Sequence, residues 1–218
     1  MSEFEVIEEF LSIQGEGSLV GTPAYFVRLA RCNLRCPWCD TKYSWSPGLK
    51  VPVSEVAERA LESGVGLIVL TGGEPLLWQL EIRSFLKELE EKGFKGLVQI
   101  ETNGTIYPSA LEGHEIWITV SPKVTCDYYI NFPSTVRRIL ENFSGELKLV
   151  VRRTDLTCVK KFLEELGDVP RPVVLQPLDE GEGYASAARE LVLEVLKDDY
   201  LKRRVRVVPQ VHKLLQMP

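Results

Sequence analysis

The sequence predicts an α/β fold, an incomplete TIM-like barrel with some crossovers shortened to loops. Three observations predict it. Short apolar runs of strand length alternate with stretches whose apolar residues recur at helical spacing, the pattern of a parallel sheet covered by helices. Polar or glycine-rich segments follow those runs, at the sheet edge where barrel-like folds carry their chemistry. The helices are too few for eight full repeats. At 218 residues and 44% hydrophobic content the chain can bury one sizeable core. With no repeat, low-complexity segment or linker to divide it, residues 1–218 read as a single domain.

Residues 4–11 are apolar and β-prone and stop before Gln14-Gly15-Glu16-Gly17. Residues 24–29 form a second strand candidate leading into the cysteine-rich stretch. Val53, Val56, Ala57, Ala60 and Leu61 fall at helical spacing, with Ser54 near the start and Gly64 as a stop. Leu67-Ile68-Val69-Leu70 reads as a strand buried on both faces. A helix with Ile82, Phe85, Leu86 and Leu89 on one face comes next, then strands at 97–100 and 116–120. Residues 131–143 are given no element. Beyond them come a strand at 146–151, a helix carrying Val159, Phe162, Leu163 and Leu166, and a strand at 172–175. A helix carrying Ala188, Leu191, Val192, Val195 and Leu196 and a last strand at 205–208 complete the pattern. Glu88 to Glu91 read as a solvated helix face.

The chemistry is concentrated in Arg31-Cys32-Asn33-Leu34-Arg35-Cys36-Pro37-Trp38-Cys39-Asp40-Thr41, where three of the five cysteines stand as C-x3-C-x2-C. So short a loop can fold three sulfurs around one small object. A 4Fe–4S cluster usually takes four cysteines, so three thiolates leave one iron open, as catalytic zinc keeps an open position. The competing reading is a structural zinc site. It needs a fourth ligand from Cys126, Cys158, His114 or His212, each single and distant in sequence. An odd cysteine count argues against a disulfide framework. Cys126 and Cys158 therefore read as small core or surface residues, and the compartment as the reducing cytosol. His114 and His212 read as structural or solvent-facing. A net charge of −5 gives no electrostatic footprint for nucleic acid. No apolar run is long enough to span a bilayer, and the acidic start is unlike a signal peptide.

The cysteine spacing resembles the signature of the radical S-adenosylmethionine (SAM) superfamily. Thr71-Gly72-Gly73-Glu74-Pro75 would alone be a plain turn whose glycines expose backbone groups. Placed after a buried strand, it resembles the superfamily's GGEP motif. The resemblance reaches the 7-carboxy-7-deazaguanine synthase family through Ser12-Ile13-Gln14-Gly15-Glu16-Gly17, Gly21-Thr22-Pro23, Phe26-Val27-Arg28-Leu29 and Cys39-Asp40-Thr41. It continues through Glu101-Thr102-Asn103-Gly104, Ser121-Pro122-Lys123, Gln176-Pro177-Leu178-Asp179 and Pro209-Gln210-Val211-His212-Lys213, nearly the whole chain. Some members lengthen the first cysteine interval; this chain keeps the compact one, which bears on loop geometry and not on activity.

The resemblance implies conversion of 6-carboxy-5,6,7,8-tetrahydropterin to 7-carboxy-7-deazaguanine with loss of ammonia, a step toward queuosine and other 7-deazapurines. It implies a 4Fe–4S cluster on Cys32, Cys36 and Cys39, with SAM on the open iron. It also implies Mg2+ on the Thr41 hydroxyl, whose bland alternative is a loop-stabilising role. SAM would be held by Trp38, Cys39, Asp40, Gly73, Glu74, Ser121, Pro122, Lys123, Gln176, Pro177, Leu178 and Asp179. Lys123, Pro122 and Pro177 read otherwise as ordinary surface or turn residues. The substrate would be held by Ile13, Gln14, Gly15, Arg28, Thr71 and Pro218. Arg28 can fork two N–H donors onto the pterin carboxylate, its other reading being a surface ion pair. Gln14 has a bracing alternative, and Glu101 is either structural or a SAM contact. An external donor such as flavodoxin or ferredoxin would reduce the cluster. SAM would then give methionine and a 5′-deoxyadenosyl radical that takes hydrogen from C6 of the pterin, after which the ring contracts and SAM is regenerated. No side chain acts as a covalent nucleophile. A cytoplasmic homodimer is expected, with no nucleic acid or membrane partner. The rival readings are a radical SAM activase that places a glycyl radical on a partner enzyme, and a non-catalytic zinc-binding module.

Overall fold

A strand that is apolar at every position has to be covered on both faces. Leu67, Ile68, Val69 and Leu70 are all buried: Ile68 and Leu70 join the main core, and Leu67 and Val69 pack in a second cluster with Ala24, Leu19 and Phe26. The computed structural model describes residues 2–169, 171–181 and 183–218. In chain order the strands are β1 (Glu3–Ile13), β2 (Pro23–Leu29), β3 (Leu49–Pro52), β4 (Leu67–Gly72), β5 (Leu97–Thr102) and β6 (Trp117–Val120). They continue with β7 (Lys123–Thr125), β8 (Tyr128–Ile130), β9 (Ser144–Val151), β10 (Val173–Pro177) and β11 (Val205–Val207). The helices are α1 (Val53–Glu62), α2 (Gln79–Glu91), α3 (Pro133–Asn142), α4 (Leu156–Leu166), α5 (Tyr184–Lys197) and the one-turn α6 (Val211–Leu214).

Nine strands form one sheet in the order β11-β10-β9-β6-β5-β4-β2-β1-β3. From β2 to β11 every pairing in that sheet is parallel. Its two ends, β3 and β11, do not pair with each other, so the expected incomplete barrel is what forms. The departure from an all-parallel sheet is at one edge. There β1 runs antiparallel to β2, and β3 antiparallel to β1. Residues 14–22 are too few for a parallel crossover, so the chain turns back on itself. The core lies between the sheet and α1–α5, with Phe4 meeting Phe85 of α2 edge to face at 5.9 Å. The unassigned stretch 131–143 contains α3, opened by Pro133 and burying Val136, Ile139 and Leu140. No helix is long and apolar enough to cross a membrane among the described residues.

One sequence expectation is overturned here. Cys126 and Cys158 form a disulfide, with their Cα atoms 5.6 Å apart. The β7–β8 turn brings Cys126 onto the first turns of α4, where its backbone N–H also donates to Asp155 Oδ1 at 3.0 Å. An odd count allowed this outcome, because the loop takes three cysteines and leaves one pair.

Candidate active site

The parallel strands end along one edge, and residues at or just beyond their C-terminal ends line a single cleft. Leu29 closes β2, and the cysteine loop leaves from there. Backbone contacts fix its start. Arg31 N–H donates to Ser44 O at 2.7 Å, Glu74 N–H donates to Arg31 O at 2.8 Å, and Trp78 Nε1 donates to Ala30 O at 2.9 Å. Arg31 itself, at φ 70°, is gripped by both oxygens of Glu5 at 2.7 and 2.9 Å. Gly73 stacks so closely under this loop that a Cβ would overlap the Arg31 carbonyl, which explains glycine at that position.

Cys32, Cys36 and Cys39 are free thiols, and all three line the cleft. Burial raises the Cys32 and Cys36 thiols above their ordinary range, so they give up their protons when a metal binds rather than before. Among the described residues no three His, Cys, Asp or Glu side chains are grouped to hold one metal ion. Cys126 and Cys158 are bonded to each other and supply no fourth ligand.

Trp38 packs edge-on against Tyr128 at 5.2 Å, with the Arg152 guanidinium 5.8 Å from its ring centre. Thr41 Oγ1 lies 3.6 Å from Cys39 Sγ. Asp40, Ser121, Lys123, Leu178 and Asp179 also line the cleft, and Lys123 Nζ donates to Ser121 Oγ at 3.3 Å. Gln176 lines it too, and its buried Oε1 has no protein partner, so a bound molecule bearing an N–H or O–H would satisfy it. Three of the residues singled out as SAM contacts are not among those lining the cleft: Glu74, Pro122 and Pro177. The Glu74 carboxylate is fully buried and accepts from Leu76 N at 2.9 Å, Thr102 Oγ1 at 2.7 Å and Asn103 N at 2.7 Å. Through Thr102 and Asn103 it fixes the end of β5, whose residues line the cleft.

Ile13, Gln14, Gly15, Arg28, Thr71 and Pro218 meet at the same cleft. Arg28 gives its Nε to Glu8 at 2.6 Å and lies between the Phe10 and Tyr43 rings, 5.8 and 5.9 Å from their centres. The Gln14 amide is occupied by Gln99 Oε1 at 2.7 Å, Glu101 Oε1 at 3.2 Å and Glu16 N at 3.0 Å, which is the bracing role. Ser12 Oγ donates to Pro218 O at 2.8 Å, which brings the C-terminal residue back to β1.

Sequence reasoning missed the buried network behind these residues. Lys148, 3% exposed in the middle of β9, makes ion pairs with Glu16 and, at 3.5 Å, with Glu101. Lys148 holds Glu16 down to about 2, whereas burial pushes the Glu101 carboxyl above its usual range despite the same lysine. His212 also lies in the cleft, with its ring packed on Gly15, where a Cβ would overlap it; it is not a solvent-facing residue. A charge inside the apolar run Leu147-Lys148-Leu149 was the available signal.

The sequence profile of the radical SAM superfamily matches residues 27–144, from within β2 through β9's first residue. The 7-carboxy-7-deazaguanine synthase of Aquifex aeolicus is 39% identical over 96% of this chain and 92% of that protein. The synthase of Hyperthermus butylicus is 37% identical over 98% and 93%. The crystal structure of QueE from Escherichia coli superposes with a TM-score of 0.72 at 27% identity, covering 97% of this chain and 96% of that one. The chain belongs to the 7-carboxy-7-deazaguanine synthase family. Membership in this radical SAM family implies a 4Fe–4S cluster and SAM. The donor set of this synthase-family chain fits both: three free thiols and, lining the same cleft, an orphaned buried acceptor on Gln176.

Proposed function

We propose that the chain contracts the ring of 6-carboxy-5,6,7,8-tetrahydropterin to give 7-carboxy-7-deazaguanine and ammonia, on the way to queuosine and related 7-deazapurines. The observation that carries this reading is that one cleft holds both the three free cysteines and the Arg28–Gln14–Thr71–Pro218 side. A radical made at the first would have its substrate at the second. When bound, the cluster and SAM supply the one-electron chemistry that opens the reaction.

The residues have separable duties. Cys32, Cys36 and Cys39 hold the cluster. Gly73 offers backbone to SAM, and Ser121, Lys123, Gln176, Leu178 and Asp179 surround it, with Trp38 and Asp40 on the cluster side. The guanidinium of Arg28 meets the pterin carboxylate. Glu8 takes only its Nε, so the Nη pair is the fork for that carboxylate. Ile13 and Gly15 give backbone groups to the aminopyrimidinone edge. Glu101, which accepts from Thr71 Oγ1 at 3.4 Å, offers that edge a matching polar face. Thr41 is the protein ligand of Mg2+, with water and substrate filling the other positions, as suits a hard ion that takes few protein ligands. Around them the buried network excludes water and keeps the donors in place.

The reaction needs an external one-electron donor, and we place the protein in the cytoplasm as a homodimer. The test is anaerobic reconstitution with iron and sulfide, then incubation with SAM, reductant, Mg2+ and the carboxypterin, read by mass spectrometry. Product formed without any partner protein supports the synthase and excludes a glycyl-radical activase. Cluster loaded and SAM bound with no deazapurine formed would overturn the substrate assignment.

A further inference from the structure

The last residues of the chain cross the mouth of the cleft without an apolar anchor. The one-turn α6 buries none of its residues, and Leu214, Leu215 and Met217 are exposed. The segment is held by polar contacts. Val211 N–H donates to Gly15 O at 2.9 Å, Gln210 Nε2 donates to Glu16 Oε1 at 2.6 Å, and Pro218 O accepts from Ser12. These ties all run to the β1 side of the cleft. On the opposite side Gln210 N–H donates to Tyr184 Oη at 2.6 Å, at the start of α5, and one further side chain of the segment, among the described residues, reaches across. Lys213 Nζ lies 2.8 Å from Asp179 Oδ2, beyond β10, and 3.2 Å from Asp40 Oδ2, between Cys39 and Thr41 in the cysteine loop.

We propose that Lys213 is a positioning residue that latches the C-terminal segment across the cleft, setting the substrate side (His212, Pro218) against the cysteine loop. The inference rests on the functional reading above and goes beyond it. Asp40 and Asp179 belong to separate elements and face the same ammonium. Without that charge they repel each other across the opening they now close. The lysine and Asp179 side chains are each about three-quarters buried, so that pair is less screened than a surface ion pair, while Asp40 is reached from the exposed rim of the cleft. Because His212 and Pro218 flank Lys213 on the same short segment, releasing the latch displaces the groups that line the substrate side. The cysteines, carried by a loop clamped through Arg31 and Glu74, stay where they are. A loosened segment costs substrate affinity more than it costs chemistry once substrate is bound.

The experiment compares reconstituted wild type with Lys213→Met, Lys213→Arg and the surface control Lys197→Met. It measures carboxypterin KM and kcat, iron content, thermal midpoint, and hydrogen–deuterium exchange of amides 211–217. The methionine variant is expected to raise KM at least tenfold, keep kcat within about threefold, retain iron and thermal midpoint, and speed exchange at 211–217. Arginine restores KM to within threefold of wild type, and Lys197→Met changes nothing. Wild-type KM and exchange in Lys213→Met overturn the latch. So does a loss of iron and thermal midpoint shared by both Lys213 variants, which marks general structural support. If wild type does not convert the carboxypterin, the functional reading fails, and the exchange comparison alone still decides the latch.

Discussion

Lys148 shows how a single buried charge organises one wall of the cleft. It stands between two carboxylates carried by different elements, Glu16 after β1 and Glu101 at the end of β5. Leaving any of the three without its partner exposes a buried charge to an apolar interior. The pH dependence of this network has a definite sign. Glu16 is held at about 2 in the folded chain against about 4.3 when unfolded. Between those values the unfolded chain binds more protons, so the contribution of Glu16 is complete above about pH 5 and is lost as pH falls toward 2. Glu101, shifted upward by burial, works the other way: its contribution falls as pH rises through the ordinary carboxylate range. Glu16→Gln isolates the first effect. It should be less stable than wild type by about 1–3 kcal/mol at pH 7, the scale of a lost charged hydrogen bond, and the gap should shrink to about a quarter of that at pH 2.5. Urea unfolding of both proteins at the two pH values checks this; an equal gap at both would refute it. The sequence displayed Glu16 within a recognisable motif, yet its partner lay 132 residues away on β9, marked there only by a charge between Leu147 and Leu149. Glu74 stands in a motif that suggested a ligand contact, and the fold adds what the motif did not show: its carboxylate accepts from the backbone at residue 76 and, from the end of β5, at residue 103.

Elements with a strong local signal were legible in the sequence, and elements defined by long-range pairing were not. α1, α2, α4 and α5 follow from helical spacing, and β4 and β5 from apolar runs. β3, with four residues, is specified by pairing with β1 rather than by composition, and the β7–β8 hairpin has three residues on each side. That hairpin matters, because it carries Lys123 into the cleft and sets Tyr128 against Trp38. Strands so short have little packing of their own, and here the Cys126–Cys158 bridge ties their turn to α4. The bridge spans 32 residues, for which loop-closure entropy gives about 3–4 kcal/mol of stabilisation. Cys126→Ser together with Cys158→Ser should therefore lower the thermal midpoint by several degrees, and a thiol reductant should do the same to wild type but not to the double variant. Differential scanning calorimetry with and without dithiothreitol tests it. A wild-type midpoint indifferent to reductant, with five titratable thiols in the unfolded chain, would show that the bridge does not form in solution.

At the scale of the molecule, stability and chemistry occupy opposite parts of one sheet. The core of Phe4, Phe85, Phe162 and the strand interiors lies between sheet and helices, while the cleft is assembled from strand ends and the loops that leave them. The cysteine loop belongs to the second group. Its ends are fixed by β2, by Glu5 and by the turn after β4, none of which involves a sulfur. This division separates an enzyme whose metal serves reaction from a module whose metal serves folding. A structural zinc site contributes its binding free energy to folding, and removing its thiolates leaves an unfolded chain. Here the clamped loop ends and the independent core should carry the fold alone. The variant in which Cys32, Cys36 and Cys39 are all alanine is thus expected to fold cooperatively, within about 1–2 kcal/mol of the metal-free wild type. It should lack the broad visible absorption and the iron that reconstituted wild type acquires, and it should form no product. Circular dichroism, urea unfolding and iron–sulfide analysis on the two proteins distinguish the cases. A triple variant without a cooperative transition, beside a wild type carrying one zinc and no iron, would return the cysteines to a structural role and withdraw the radical chemistry from this cleft.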